Sequence, residues 1–314
     1  MRSWSFVFCV SLLKYCFVAS AQVPATTPAN PPRPAITGIS HIAFYASNAA
    51  ATEHFFSFNI GAAKTPDPEN ALGQRYYINS TQFIEVLPLP PGKTATLLDH
   101  AAFVTTDAQA LRTYLAANNE APGALQTGSD DSHWFKVNDP EGNVIEFVQY
   151  SPQTPSMPAY KPVGHHIIHI GFVVNNYETE DYFYKGLLGF RPYWYGGRTP
   201  GALAWVSQQV PDGNDWLEYM LPNGTPGTPR PAASMGGSNH LSIGVLNMTS
   251  TAAELKAANR LGEGFNGPKV GLDGKWQLNL FDPDGNRVEV MEYGNVQPPC
   301  CSVFTAPNPK PPID

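Results

Sequence analysis

Apolar and polar positions along this 314-residue chain recur with a long period. Four strand-like apolar runs each carry a His: "SHIAFYAS" at His41, "DHAAFVTT" at His100, "IHIGFVVN" at His169 and "NHLSIGVL" at His240. A helical slot follows each run: "ATEHFFSFNIGA", "DAQALRTYLAAN", "ETEDYFYKGLLGF" and "TSTAAELKAANRLG". In the third slot Tyr182, Phe183, Leu187 and Phe190 fall at helical spacing, and Gly189 can close the helix. Short strands come next, and each module ends on a run with a Glu between apolar neighbours: "FIEVL" at Glu85, "VIEFV" at Glu146, "WLEYM" at Glu218 and "RVEVM" at Glu289. The pattern predicts four copies of a βαβββ module, hence an α+β protein. In the even modules the last two strands are joined by "NDPEGNVIE" (138–146) and "FDPDGNRVE" (281–289). A Pro at the second turn position and a Gly where φ must be positive make these hairpins.

Pro-rich stretches divide the modules into pairs. Residues 1–21 carry Arg2, an apolar stretch and Ala19-Ser20-Ala21, the layout of a signal peptide, so the protein is expected to be exported. Residues 22–36 form a Pro-rich tether, 37–150 the first module pair, 151–164 a linker, 165–294 the second pair and 295–314 a Pro-rich tail. Within the second pair, 221–238 separates modules three and four. No other stretch reaches the ~20 apolar residues of a stable membrane span. At 42% hydrophobic and 12% aromatic the chain can bury sizeable cores, and its net charge of −7 without a basic patch argues against nucleic acid. Cys9 and Cys16 fall in the leader. Adjacent cysteines such as Cys300 and Cys301 bridge each other only with strain, so stability is expected to come from the core alone.

His and Glu at matched places in a repeated module are the pattern a metal site leaves in a sequence. A single strand His is usually a satisfied core residue, and a single strand Glu usually faces water. Four modules keeping both in register is not what burial alone produces. His133 could face the first cavity, His165 and His166 border the third module, and His54 sits on the first helix. Tyr193, Trp194, Tyr195, Trp205, Trp216 and Trp276 make the second half rich in aromatics, and Arg198 beside Gly196-Gly197 is a possible anion anchor.

Doubled βαβββ modules, with a His on the first strand and an Asp-Pro-x-Gly-Asn hairpin leading to a Glu on the last, resemble the vicinal oxygen chelate superfamily. That group includes glyoxalase I, methylmalonyl-CoA epimerase, extradiol dioxygenases, fosfomycin-resistance enzymes and bleomycin-binding proteins. The resemblance implies paired modules whose sheets form cups, with first and last strands at the centre. It groups His41, Glu85, His100 and Glu146 as one ligand set and His169, Glu218, His240 and Glu289 as another, for a divalent ion (Zn, Ni, Co, Mn or Fe(II)). Pairing of the first module with the fourth, which would join His41 and Glu85 to His240 and Glu289, is the alternative. The implied activity is that of a glyoxalase- or epimerase-like isomerase or lyase on a small oxygenated substrate, with an enediolate stabilised by the metal and Glu289 or Glu146 as base. An extradiol ring-cleaving dioxygenase using Fe(II) on His169, His240 and Glu289 is the second reading, and a non-catalytic, bleomycin-resistance-like binding protein the third. The partner is a small molecule, the chain a monomer or homodimer. Export would keep it from coenzyme A and glutathione adducts. The second half, with its full ligand set and Trp-rich surround, is expected to carry the better site.

Overall fold

In the computed structural model the described residues are 1, 31–93, 97–153, 155–199, 201–222 and 235–312, and the chain from Pro31 onward forms one compact unit. The leader and most of the tether lie outside the described residues. In the first half β1 (Ile36–Ala46), α1 (Ala49–His54), β2 (Ala63–Pro66), β3 (Gln74–Tyr77) and β4 (Phe83–Pro88) form module one. β5 (Leu98–Thr105), α2 (Ala108–Ala117), β6 (Gln126–Thr127), β7 (His133–Asn138) and β8 (Val144–Gln149) form module two. They make one eight-stranded sheet in the order β2-β3-β4-β1-β5-β8-β7-β6. The second half repeats it with β9 (Ile167–Val173), α3 (Tyr177–Asp181), β10 (Arg191–Gly196), β11 (Trp205–Gln209), β12 (Trp216–Met220), β13 (His240–Val245), α4 (Met248–Ala257), β14 (Asn266–Val270), β15 (Trp276–Phe281) and β16 (Arg287–Glu292). Its order is β10-β11-β12-β9-β13-β16-β15-β14. The fold is therefore the expected α+β one, two sheets of paired modules. First strands meet antiparallel within each half, β1 with β5 and β9 with β13, so modules pair inside their own half.

Local chemistry explains the elements. Asn48, Asp107, Asn176 and Asn247 cap the four helices through their side chains, satisfying first-turn N–H groups. Modules one and three widen into π-helical turns at Phe55–Asn59 and Tyr182–Leu187. That widening shifts the buried face: Phe183, Tyr184 and Leu187 pack inward, while Tyr182, expected on the inner face, is 66% exposed. In both hairpins the leading Asp accepts from two backbone N–H groups, at 3.0 and 2.8 Å for Asp139 and at 2.9 and 2.8 Å for Asp282. Gly142 and Gly285 take φ of 86° and 83°.

The halves share one continuous apolar core. Gln82 stitches their first strands, donating to Ile39 O and Ile167 O (both 3.0 Å) and accepting from Ile167 N (2.8 Å). Each even-module hairpin also reaches the other half: Glu141 accepts from Asn175 N at 2.8 Å, and Asp284 from Ser47 N at 2.9 Å. The Pro-rich tail is not a loose appendage. Cys300 N donates to Leu272 O (2.7 Å), Trp194 Nε1 to Cys300 O (3.2 Å) and Thr305 N to Tyr193 O (3.0 Å), so the tail ties β10 to the β14–β15 turn. Cys300 and Cys301 are joined to each other by a disulfide.

Candidate metal centres

The four central strands of each sheet carry the His and Glu residues, and register decides how they meet. In the first half His41 pairs with Phe83 on one side and Ala102 on the other, and Ala102 pairs with Glu146. One row away, Ala43 lies between Glu85 and His100. The second half repeats this grid: Trp216, His169, Ser242 and Glu289 in one row, Glu218, Gly171, His240 and Arg287 in the next. Each His thus faces a small residue across the strand pair, which leaves room for its ring. At Gly171 the room is complete: an added Cβ would come within 2.2 Å of His240 Cε1. An aromatic ring backs the first His of each half, Phe83 at 4.3 Å from His41 and Trp216 at 4.6 Å from His169.

All eight residues converge as two separate quartets. In the first cup His41 Nε2 and His100 Nε2 lie 2.9 Å apart. Glu85 Oε2 is 3.7 Å from His41 and 3.3 Å from His100, and the Glu146 oxygens are 3.7 and 3.5 Å from the same two nitrogens. In the second cup His169 Nε2 and His240 Nε2 are 3.0 Å apart, with Glu289 3.2 Å from His169 and Glu218 3.5 Å from His240. Outer partners turn the Nε2 atoms inward: Ser40 Oγ and Asp99 hold Nδ1 of His41 and His100, at 3.0 and 2.7 Å, and Ser238 O holds Nδ1 of His240 at 2.7 Å.

The donors fit a divalent ion. Glu85 Oε2 and both Glu146 oxygens are buried without a hydrogen-bond partner. Buried carboxylates and imidazoles facing each other are costly unless a cation sits among them. Burial, reinforced by the His–His contact, pushes the His41 imidazole well below its usual range, and burial lowers His100 to about 4. Burial likewise lowers His169 and His240. All four imidazoles are therefore neutral at neutral pH, the form that binds a metal. Burial raises Glu85 and Glu146 well above the usual carboxylate range, and with Glu289 nearby raises Glu218 to about 8. Burial would raise Glu289 too, but the His169 hydrogen bond and Arg287 outweigh it and hold it low.

The chain resembles known proteins in fold. The profile described as "Glyoxalase/Bleomycin resistance protein/Dioxygenase superfamily" matches residues 158–290, and the first half repeats the same sheet order. The match is consistent with the resemblance to the vicinal oxygen chelate superfamily. Among solved structures, a catechol 2,3-dioxygenase is similar at TM-score 0.61 and 18% identity, over 85% of this chain and 96% of that one. Homoprotocatechuate 2,3-dioxygenase from Brevibacterium fuscum, in complex with 3,4-dihydroxyphenylacetate, gives 0.58 and 15%, over 89% and 85%. An Mn(II)-bound glyoxalase from Novosphingobium aromaticivorans gives 0.60 and 17%, over 82% and 83%. No curated protein matches the sequence. Members of this superfamily are largely metal-dependent enzymes, and His41, Glu85 and His100 in the first cup and His169, Glu218 and His240 in the second are candidate ligand triads for a metal ion.

Several expected candidates lie elsewhere. His133 bonds Thr127 Oγ1 (3.1 Å), while its neighbours Trp134 and Lys136 line the first cavity, because alternation along the strand turns His133 to the opposite face. His166 pairs with Asp215 at 2.8 Å, away from both quartets. Other residues were not singled out by the sequence pattern. Glu69, on the β2–β3 loop, brings an oxygen within 4.8 Å of ligand atoms of His41 and Glu146. Arg75 binds Asp67 and Glu69 at 2.8 and 2.6 Å, and Lys136 stands 3.5 Å from both Asp99 and Glu146. Asp99, directly before His100, was the readable one, since a carboxylate beside a ligand His is the usual outer partner.

Proposed function

We propose that the protein is an exported metal-dependent enzyme of the isomerase or lyase type, acting on a small oxygenated substrate at the second centre with Glu289 as base. The observation that carries this reading is which ligands face the substrate space. A cavity of about 360 Å³ opens over the second centre; Glu218 and Glu289 line it, whereas His169 and His240 lie behind them. A bound divalent ion there would supply Lewis acidity toward two neighbouring substrate oxygens. In this reading Glu289 takes a proton from the carbon beside a carbonyl, in a cavity that Trp194 and Trp205 also line. In the first cup the matching Glu146 is fully buried and does not line the 530 Å³ cavity, where Glu85 does. In this reading Glu146 holds an ion and the second centre carries turnover.

The test is solvent deuterium exchange. Metal-loaded protein incubated under argon in D2O with a panel of small hydroxy-ketones and keto-acids should wash deuterium into the carbon next to the carbonyl, read by NMR. Module pairing within halves, the arrangement of extradiol enzymes, favours the second reading. No exchange across the panel, with one oxygen consumed per catechol cleaved by Fe(II)-loaded protein, would replace the isomerase by a dioxygenase.

A further inference from the structure

We propose that the second centre takes an anionic substrate, one that carries a carboxylate in addition to the two oxygens presented to the metal. This rests on the reading of that centre as a site where substrate oxygens meet a metal ion. The cavity over it is lined by three cations, Arg198, Lys269 and Arg287, and by Glu218, Glu289 and Asp273. Glu218 and Glu289 belong to the ligand quartet, so a bound divalent ion compensates their charge. Asp273 alone then faces three cations, and part of its capacity is already used by Lys275 N (3.2 Å) and Gln277 Nε2 (3.3 Å).

None of the three cations forms an ion pair with a described carboxylate. Arg198 is exposed, with its guanidinium 5.6 Å from the Trp205 ring centre. Lys269 is exposed. Arg287 reaches Asn279 Oδ1 at 3.4 Å, and its Nε is buried without a partner. The first cup shows the opposite arrangement. Its Arg75 and Lys136 are answered by Asp67, Glu69, Asp99 and Glu146. The loop between the second and third strands of the module makes the difference: it carries Asp67 and Glu69 in module one and Arg198 in module three. Uncompensated cations around a partly enclosed cavity raise the local concentration of anions, and an arginine fork matches a carboxylate in two parallel hydrogen bonds.

Calorimetric titration of the metal-loaded full chain with a matched pair of probes tests this. Catechol offers two neighbouring oxygens and no further charge; 3,4-dihydroxybenzoate adds one carboxylate. The carboxylated probe is expected to bind at least ~10-fold more tightly at low salt, with the advantage shrinking as salt rises. Arg198→Ala, and separately Lys269→Met, should reduce that advantage several-fold and leave catechol affinity unchanged. His240→Ala should abolish binding of both probes, which assigns the binding to the second centre. Equal affinity for the two probes, or an Arg198→Ala variant that weakens both alike, would overturn the anion inference while leaving the metal-site reading intact. Failure of both probes to bind loaded protein would overturn the reading beneath it and the inference with it.

Discussion

The two cups share a backbone, a strand register and a ligand quartet, yet their rims carry opposite chemistry. Around the first, Arg75 is paired with Asp67 and Glu69, and Lys136 with Asp99 and Glu146. Glu69, Glu85 and Asp99 line its mouth. Around the second, Arg198, Lys269 and Arg287 line the mouth and none is paired with a described carboxylate. The quartets are alike because they stand on the four central strands, where a change of register would turn a whole strand's side chains to the other face. The rims differ because loops tolerate substitution at little cost to packing. A doubled module can thus keep one geometry while its copies diverge; in the function proposed above, the first holds an ion and the second a substrate as well.

The largest expected effect separates the two cups by activity. Glu289→Gln should lower turnover by roughly 10²–10⁴-fold, the range of a general base. Glu146→Gln should change it by only a few-fold, and steady-state rates of both variants would reverse the assignment if the first were the harmless one. Gly171→Ala drives a methyl group into the His240 ring. Metal analysis should then show the ion lost from the second cup alone, a larger effect than the ~10–100-fold of an outer-partner change. Retention of two ions per chain would show that the grid is more tolerant than its register suggests.

Three further measurements sharpen the first cup. Arg75→Met leaves Asp67 and Glu69 buried without their cation and should cost about 3–5 kcal/mol in urea unfolding, with turnover at the second centre kept wherever the chain remains folded. In ion-free protein, buried His100 resists protonation until about pH 4, whereas unfolded chains take up that proton near the ordinary ~6.5. The unfolded state therefore binds more protons between these values. The His100 contribution, on the order of 3 kcal/mol, is present in full above ~6.5 and lost as pH falls toward 4. Comparing unfolding free energies of the chain and of His100→Asn from pH 7 to 4 isolates it, since Glu85 and Glu146, with raised values, act in the opposite sense. The smallest effect is Asp99→Asn, which frees the His100 ring and should weaken first-cup metal affinity by ~10–100-fold without touching the second. Equal weakening at both cups would mean that Asp99 acts through the fold and not through its histidine.

Much of this architecture was written in the pattern of residues. Four strand–helix–strand periods, two Asp-Pro-x-Gly-Asn turns and eight matched His and Glu residues are local signals, each set by backbone geometry within a few residues. They foretold four modules, and the eight ligand candidates do gather in two places. The tail, legible in sequence only as Pro-rich, ties β10 to the β14–β15 turn, because an extended segment can bond to a sheet's free edge without a helix or strand period of its own.

Which modules pair, which ligands face solvent and what surrounds them were decided only in three dimensions. Hydrophobic alternation says that a residue lies on a sheet's inner face, and it is silent on which sheet comes opposite; β1 meeting β5 brings His41 to His100, 59 residues away along the chain. Curvature then sets depth, sinking Glu146 out of reach while leaving Glu289 at the wall of a cavity. Arg198 and Glu69 show the same limit. On the chain they are unremarkable loop residues, and their opposite charges matter because folding sets their loops at matching edges of two cups, where charge is felt across space and not along sequence.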